Sequence, residues 1–136
     1  MNKNIIAAAL MAALGALALP ASAEVVVIVS PKNPATRMFS EQASQFFLGK
    51  SNLFTPVDLP ESSAVRAEFY KKVADKDTAQ VKALWSKLVF TGKATAPKEY
   101  ASAAEVKKAV AADPKAIGYI EKSAVDESVK VILTLP

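Results

Sequence analysis

The two most strand-like runs of this chain stand at opposite ends of its globular part. Glu24-Val25-Val26-Val27-Ile28-Val29-Ser30 is a β-branched, apolar run, and Val129-Lys130-Val131-Ile132-Leu133-Thr134-Leu135 is another. The first has no polar alternation, which is the pattern of a strand buried on both faces at the centre of an α/β sheet. The second reads as a closing strand and is expected beside the first. Helical patterns fill the space between them, so the fold class is α/β, with about four helices packed around a small mixed β-sheet.

Pro31-Lys32-Asn33-Pro34 stops the first strand with two prolines. Ser40 is the expected N-cap of a helix over 41–48, with Glu41 in its first turn and Gly49 as its stop. A brief strand is expected near Pro56-Val57-Asp58-Leu59, then a helix over 64–74 that either Ser62 or Ser63 caps. Asp77 or Thr78 starts the next helix. There Val81, Leu84, Trp85, Leu88 and Val89 recur at helical spacing until Thr91-Gly92. Residues 93–101 read as loop, and Ser102-x-x-Glu105 as a capping box for a helix to about Ala112. Ile117-Gly118-Tyr119-Ile120 reads as a strand, with Gly118 where a neighbour approaches closely. Val125 falls in a short helical turn.

Residues 1–23 are read separately. Lys3 is followed by an uncharged apolar run from Ile5 to Leu19, then Pro20 and the small-x-small sequence Ala21-Ser22-Ala23. This is the pattern of a secretory signal peptide cleaved before Glu24. A spanning helix needs about 20 apolar residues, more than this run provides. The expectation is a soluble domain over 24–136, exported to a bacterial periplasm and not inserted in the membrane after cleavage.

The chain has neither cysteine nor histidine. That excludes Ser-His-Asp and Cys-His nucleophile systems and zinc sites built on His or Cys. No constellation suggests an enzyme, and no metal or cofactor is expected. The formal charge is +4, and removal of Lys3 with residues 1–23 lowers it by one. So mild an excess suits a small anion or an acidic partner surface and does not argue for nucleic acid.

The candidate chemistry lies in Pro60-Glu61-Ser62-Ser63-Ala64-Val65-Arg66, a loop that becomes a helix through two hydroxyl residues. Open N–H groups, the helix dipole and serine hydroxyls together favour an anion, although a serine here is also needed as a plain cap. Lys32 and Asn33 are a second candidate contribution, because ligands of α/β sheets often lie beyond strand C-termini. A rigid turn with a solvated lysine explains them equally well. Phe46, Phe47, Phe69, Trp85, Phe90 and Tyr100 would line an aromatic pocket or simply fill the core, and core is the commoner role. Asp75 and Asp77 read as capping and solvation, and Lys71-Lys72 and Lys107-Lys108 as solvated helix faces.

Several of these segments together resemble the phosphate-binding proteins of periplasmic ABC transporters. Val27-Ile28-Val29-Ser30-Pro31-Lys32-Asn33-Pro34 is similar to that family's hinge strand and Asn-Pro turn. Ser40-Glu41-Gln42 with Phe47-Leu48-Gly49-Lys50 is similar to its "Thr/Ser-x-Glu-Gln … Ile-Phe-x-Gly-Lys" segment, and Ser63-Ala64-Val65-Arg66-x-x-Phe69 to its "Ser-Gly-Thr-Arg-x-x-Phe" helix start. Trp85 through Phe90-Thr91-Gly92 looks like a helix and turn of small members. Pro114-Lys115-Ala116-Ile117-Gly118-Tyr119-Ile120 is similar to "Pro-Gly-Ala-Ile-Gly-Tyr-Val". The resemblance implies a single periplasmic-binding-protein-like lobe, the second of the family's two.

Two departures bear on function. The length allows one lobe, whereas the family clamps its ligand between two. The family's Arg-x-x-x-Ser-Gly-Thr signature also survives only as Ser63, because Leu59, Ala64 and Val65 stand at the arginine, glycine and threonine positions. Loss of a bidentate arginine removes a contact worth about 1.5–3 kcal/mol, and Arg66 belongs to a different position of the motif. The expected function is that of a solute-binding-like protein taking phosphate or a similar oxyanion weakly at Ser62, Ser63, Ala64, Val65 and Arg66, related to ABC-type phosphate uptake. The alternative is an interaction or regulatory protein that kept the fold without the anion site. A homodimer or another periplasmic protein would then cover an exposed apolar patch.

Overall fold

The computed structural model describes residues 24–136, so the signal-peptide reading concerns residues outside those described. Five strands and four α-helices form the expected α/β arrangement. In chain order they are β1 (Val25–Val29), α1 (Ser40–Phe47), β2 (Thr55–Asp58), α2 (Ala64–Ala74), α3 (Thr78–Phe90), β3 (Lys98–Glu99), α4 (Ala103–Ala112), β4 (Ala116–Glu121) and β5 (Lys130–Leu135). A 3-10 turn over Lys122–Ala124 precedes the last strand, just before Val125.

The sheet order is β3-β2-β4-β1-β5. β2 runs parallel to both β3 and β4, and β1 runs antiparallel to both β4 and β5, so the sheet is mixed. All five residues of β1 are buried, and the closing strand lies beside it as expected. The register of β1 on β5 shifts between Val27 and Ile28: Val27 faces Leu133 whereas Ile28 faces Val131, leaving Ile132 as the extra residue of a bulge. The Ile132 carbonyl accepts from the Met38 N–H at 2.9 Å and ties the loop after β1 to this edge.

Alternation along β4 separates two helical layers. Tyr119 faces α1 and α2, where its ring stacks on Phe69 at 3.8 Å and meets Phe47 edge-on at 5.7 Å. Gly118 faces α4. A Cβ there would lie 3.0 Å from Val106 Cγ1 and from Val57 Cγ2, and 3.1 Å from Val110 Cγ2. α3 packs over the end of α1, where the Trp85 indole N–H donates to the Phe47 carbonyl at 2.9 Å.

Most element starts follow the sequence. Ser63 caps α2 by accepting from the Arg66 N–H at 3.2 Å, Asp77 caps α3 through Gln80, and Ser102 caps α4 through Glu105. Two expectations are corrected. Ser40 is the first residue of α1 rather than its cap: Phe39 holds the cap position, and the Gln42 side chain reaches back to the Phe39 N–H at 2.9 Å. Residues 93–101 are also not all loop, since Lys98 and Glu99 pair with Val57 and Asp58 as β3. Among the aromatics, Phe46, Phe47, Phe69 and Trp85 are buried, Tyr100 is half-buried, and Phe90 is 91% exposed.

Candidate functional site

The start of α2 sits just beyond the C-terminal end of β2, as the sequence implies. Ser62 and Ala64 are exposed, while Ser63 and Val65 are half-buried. The first turn of any helix leaves N–H groups without intrahelical partners. Here the Arg66 N–H is taken by Ser63 Oγ and the Ala67 N–H by the Ser63 carbonyl. The Ala64 and Val65 N–H groups make no hydrogen bond within the described residues, and the Ser62 and Ser63 hydroxyl protons are likewise uncommitted. Four donors therefore gather at one helix start, where the dipole is positive.

Arg66 does not join them as a free cation. Its side chain is buried and turned inward, where Nη1 donates to the Leu59 carbonyl at 2.8 Å and to Glu99 Oε2 at 3.0 Å. It also lies 3.8 Å from Asp58 Oδ2, while its Nε is buried without a partner. Asp58 is the centre of this cluster. It accepts from the Tyr70 hydroxyl at 2.6 Å, from the Tyr119 hydroxyl, and from the Leu59 N–H at 2.9 Å. Burial pushes the Asp58 carboxyl above its ordinary value, and the hydroxyls of Tyr119 and Tyr70, followed by Arg66, oppose that rise. Burial and the Asp58 charge raise both phenols, which therefore remain protonated donors.

The cleft beside this cluster brings Asp58, Glu61 and Glu99 together with Arg66 and Lys82. Glu61 and Lys82 face each other at 3.5 Å, so both lysine and arginine charges here are matched by carboxylates. In the sequence, Asp58, Tyr70, Glu99 and Tyr119 stand only as members of separate strand, helix and loop segments. Their joint site with Arg66 has no local signature, because the five residues come from four elements.

Lys32 and Asn33 stand elsewhere. β1 is antiparallel to β4, so its C-terminal end lies by Ile117 and the turn at Pro114, whereas α2 starts at the opposite end of the sheet. Asn33 is buried, its Nδ2 donating to the Pro114 carbonyl at 2.7 Å and its Oδ1 accepting from the Ala35 N–H at 2.8 Å. Lys130 Nζ donates to the Asn33 carbonyl. Asn33 is therefore a structural tie, and Lys32 is an exposed neighbour in the same turn. Asp75 and Asp77 terminate and start helices, as expected. Among the described residues, no group of three or more His, Cys, Asp and Glu side chains is placed to hold a metal ion. No helix in the same range is long and apolar enough to cross a membrane.

No family model matches the chain, and no curated protein matches it. Solved structures do. An ABC-type phosphate transport receptor from Vibrio cholerae superposes with a TM-score of 0.63 at 20% identity, over 81% of this chain and 46% of the receptor. A phosphate ABC transporter substrate-binding protein with bound phosphate, from Clostridium perfringens and described as putative, gives 0.64 at 22% identity, over 81% of this chain and 45% of that one. PstS from Borrelia burgdorferi gives 0.57 at 16% identity, over 81% and 47%. The chain spans less than half the length of each of these structures. It has the fold of one periplasmic-binding-protein-like lobe, as found in phosphate transport receptors.

Proposed function

We infer that this is an exported, non-enzymatic solute-binding-type protein that takes phosphate or a similar oxyanion weakly at the start of α2. The observation that carries this reading is the set of four uncommitted donors there: the Ala64 and Val65 N–H groups and the Ser62 and Ser63 hydroxyls. The fold shared with a phosphate-bound receptor supports it. Affinity is low because Arg66 is already matched by Asp58 and Glu99, and Leu59 brings no charge. The four donors carry no charge of their own, so the anion gains none of the bidentate, oppositely charged pairing that an arginine supplies. The test is calorimetric titration with phosphate, and with sulfate as a second oxyanion. A saturable heat with a millimolar Kd is expected, lost in Ser63→Ala, which also costs about 1 kcal/mol of stability through the cap. Silence through the millimolar range, with the protein folded, counts against it.

A specific observation favours a partner-binding protein as the second reading. Phe90 is 91% exposed beside the half-exposed Val89, and together they border the Arg66 cleft. Calorimetric silence combined with self-association that Phe90→Ser abolishes selects that reading, with a homodimer as its simplest form.

A further inference from the structure

A cavity of about 510 Å³ opens at the other end of the sheet, between the end of α1, the segment leading into β2 and the segment that follows α3. Thr55, at the start of β2, lies on its wall. A strand rises about 3.3 Å per residue, so Thr55 is about 10 Å along β2 from Asp58 and the α2 start lies farther still. The cavity is thus separate from the donors at Ser63.

Its charge is of one sign. Lys50 and Lys93 line it, no carboxylate does, and neither lysine forms an ion pair among the described residues. Backbone donors add to them: the N–H groups of Asn52, Phe54, Ala94 and Thr95 make no hydrogen bond within the described residues. Two unmatched ammonium groups over a concave wall concentrate a positive field within it. The rest of the wall is aromatic. Phe46 and Phe54 meet at 4.8 Å with their planes tilted by 52°, and Trp85 closes the side. Trp85 is held in place, since its N–H is engaged by the Phe47 carbonyl and Gly49 packs its backbone against the indole. At Gly49 a Cβ would lie 2.6 Å from Leu88 Cδ1 and 3.1 Å from Trp85 Cη2.

We propose that this cavity is a binding site for a small organic anion, whose acidic head meets Lys50 and Lys93 while a flat apolar body lies against Phe46, Phe54 and Trp85. Apolar walls with a few convergent polar groups are the usual make-up of a small-molecule site. The anionic head provides the charge complement that the lining lacks, and the flat body distinguishes such a ligand from an inorganic oxyanion.

The probe is phenyl phosphate, titrated into the purified protein and followed by calorimetry and by the emission of Trp85, the sole tryptophan. Inorganic phosphate and benzyl alcohol are run in parallel. Saturable binding is expected for phenyl phosphate, at least tenfold tighter than for either control. The Lys50→Gln, Lys93→Gln double variant should weaken it at least tenfold with an unchanged far-ultraviolet spectrum, both side chains being exposed. Trp85 also borders the Arg66 cleft, so Lys82→Gln is included as the control for that cleft and should bind phenyl phosphate as the wild type does. Equal binding by the double lysine variant, by inorganic phosphate or by benzyl alcohol overturns the proposal. So does loss of phenyl phosphate binding in Lys82→Gln, and so does the absence of saturable binding in the wild type. Failure of phosphate titration at Ser63 leaves this site untouched, and the reverse is equally true.

Discussion

Asp58 holds together groups that the chain supplies from widely separated positions. Two tyrosine hydroxyls, one backbone N–H and a guanidinium converge on a carboxylate that is 3% exposed. Asp58→Ala strands a buried arginine and two buried hydroxyls, and should cost about 3–5 kcal/mol in chemical denaturation. Tyr70→Phe removes one donor to that carboxylate and should cost about 1.5–3 kcal/mol. The pH dependence has a definite sign. A carboxyl whose value is raised by folding binds its proton more tightly in the native chain. Its stabilising contribution is complete below the unfolded value and is lost as pH rises through the folded one. The advantage of wild type over Asp58→Asn should therefore shrink from acid pH toward neutrality. Asp75 and Asp126 act oppositely, held low by hydrogen bonds from Lys71 and Lys107 respectively, and subtraction of the variant's curve cancels them. A difference that widens with pH would contradict this account of Asp58. None of this cluster is visible as a sequence motif, because its members become neighbours only when β2, α2, β3 and β4 pack. Arg66 in particular stands in the first turn of α2, where sequence gives no reason for it to turn inward.

At the scale of the element, sequence and structure agree wherever local chemistry decides the outcome. α2 covers Ala64–Ala74 as expected because Ser63 provides the cap and Phe69, Tyr70 and Val73 provide the buried face. β1 is legible because its five residues are all apolar and β-branched. β3 is not, because Lys98 and Glu99 have no apolar signal and owe their extended pairing to β2 alone. The cap of α1 is missed for a related reason, since Gln42 reaches back to the N–H of Phe39, a residue type with no capping side chain of its own. Gly118 was legible as a point of close approach, and the structure names the neighbours. Gly118→Ala pushes a methyl against Val106, Val57 and Val110, all valines with little freedom to yield. It should destabilise by about 1–3 kcal/mol, the usual range for overpacking. In a Val110→Ala background the same change should cost measurably less, because the two sites share one contact. Equal costs in both backgrounds, measured by urea denaturation, would mean that α4 does not press on β4 at this point.

At the scale of the whole molecule, the sheet's two edges are protected by different means. β3 has only two residues, both charged and exposed, and so presents little unpaired backbone. β5 is the opposite edge, six residues long, with half-buried Lys130 at its start and exposed Thr134 near its end. Behind it lies β1, whose Val25, Val26, Val27, Ile28 and Val29 are almost wholly inaccessible. Burial of β1 thus depends on a strand more than a hundred residues away in sequence, which makes the pairing of the two ends a late and non-local step of folding. Truncation before Lys130 removes that strand and leaves β1 as an uncharged, apolar edge. Such an edge pairs with further copies of itself. The truncated chain should lose most of its soluble yield and bind thioflavin T. Replacing Val27 with lysine in that truncated chain should recover solubility without restoring the native fold, since a charge on a bare edge opposes pairing. A soluble, monomeric truncated chain with an unaltered far-ultraviolet spectrum would show that β1 is secured by β4 and the helices alone, and that β5 is dispensable to the lobe.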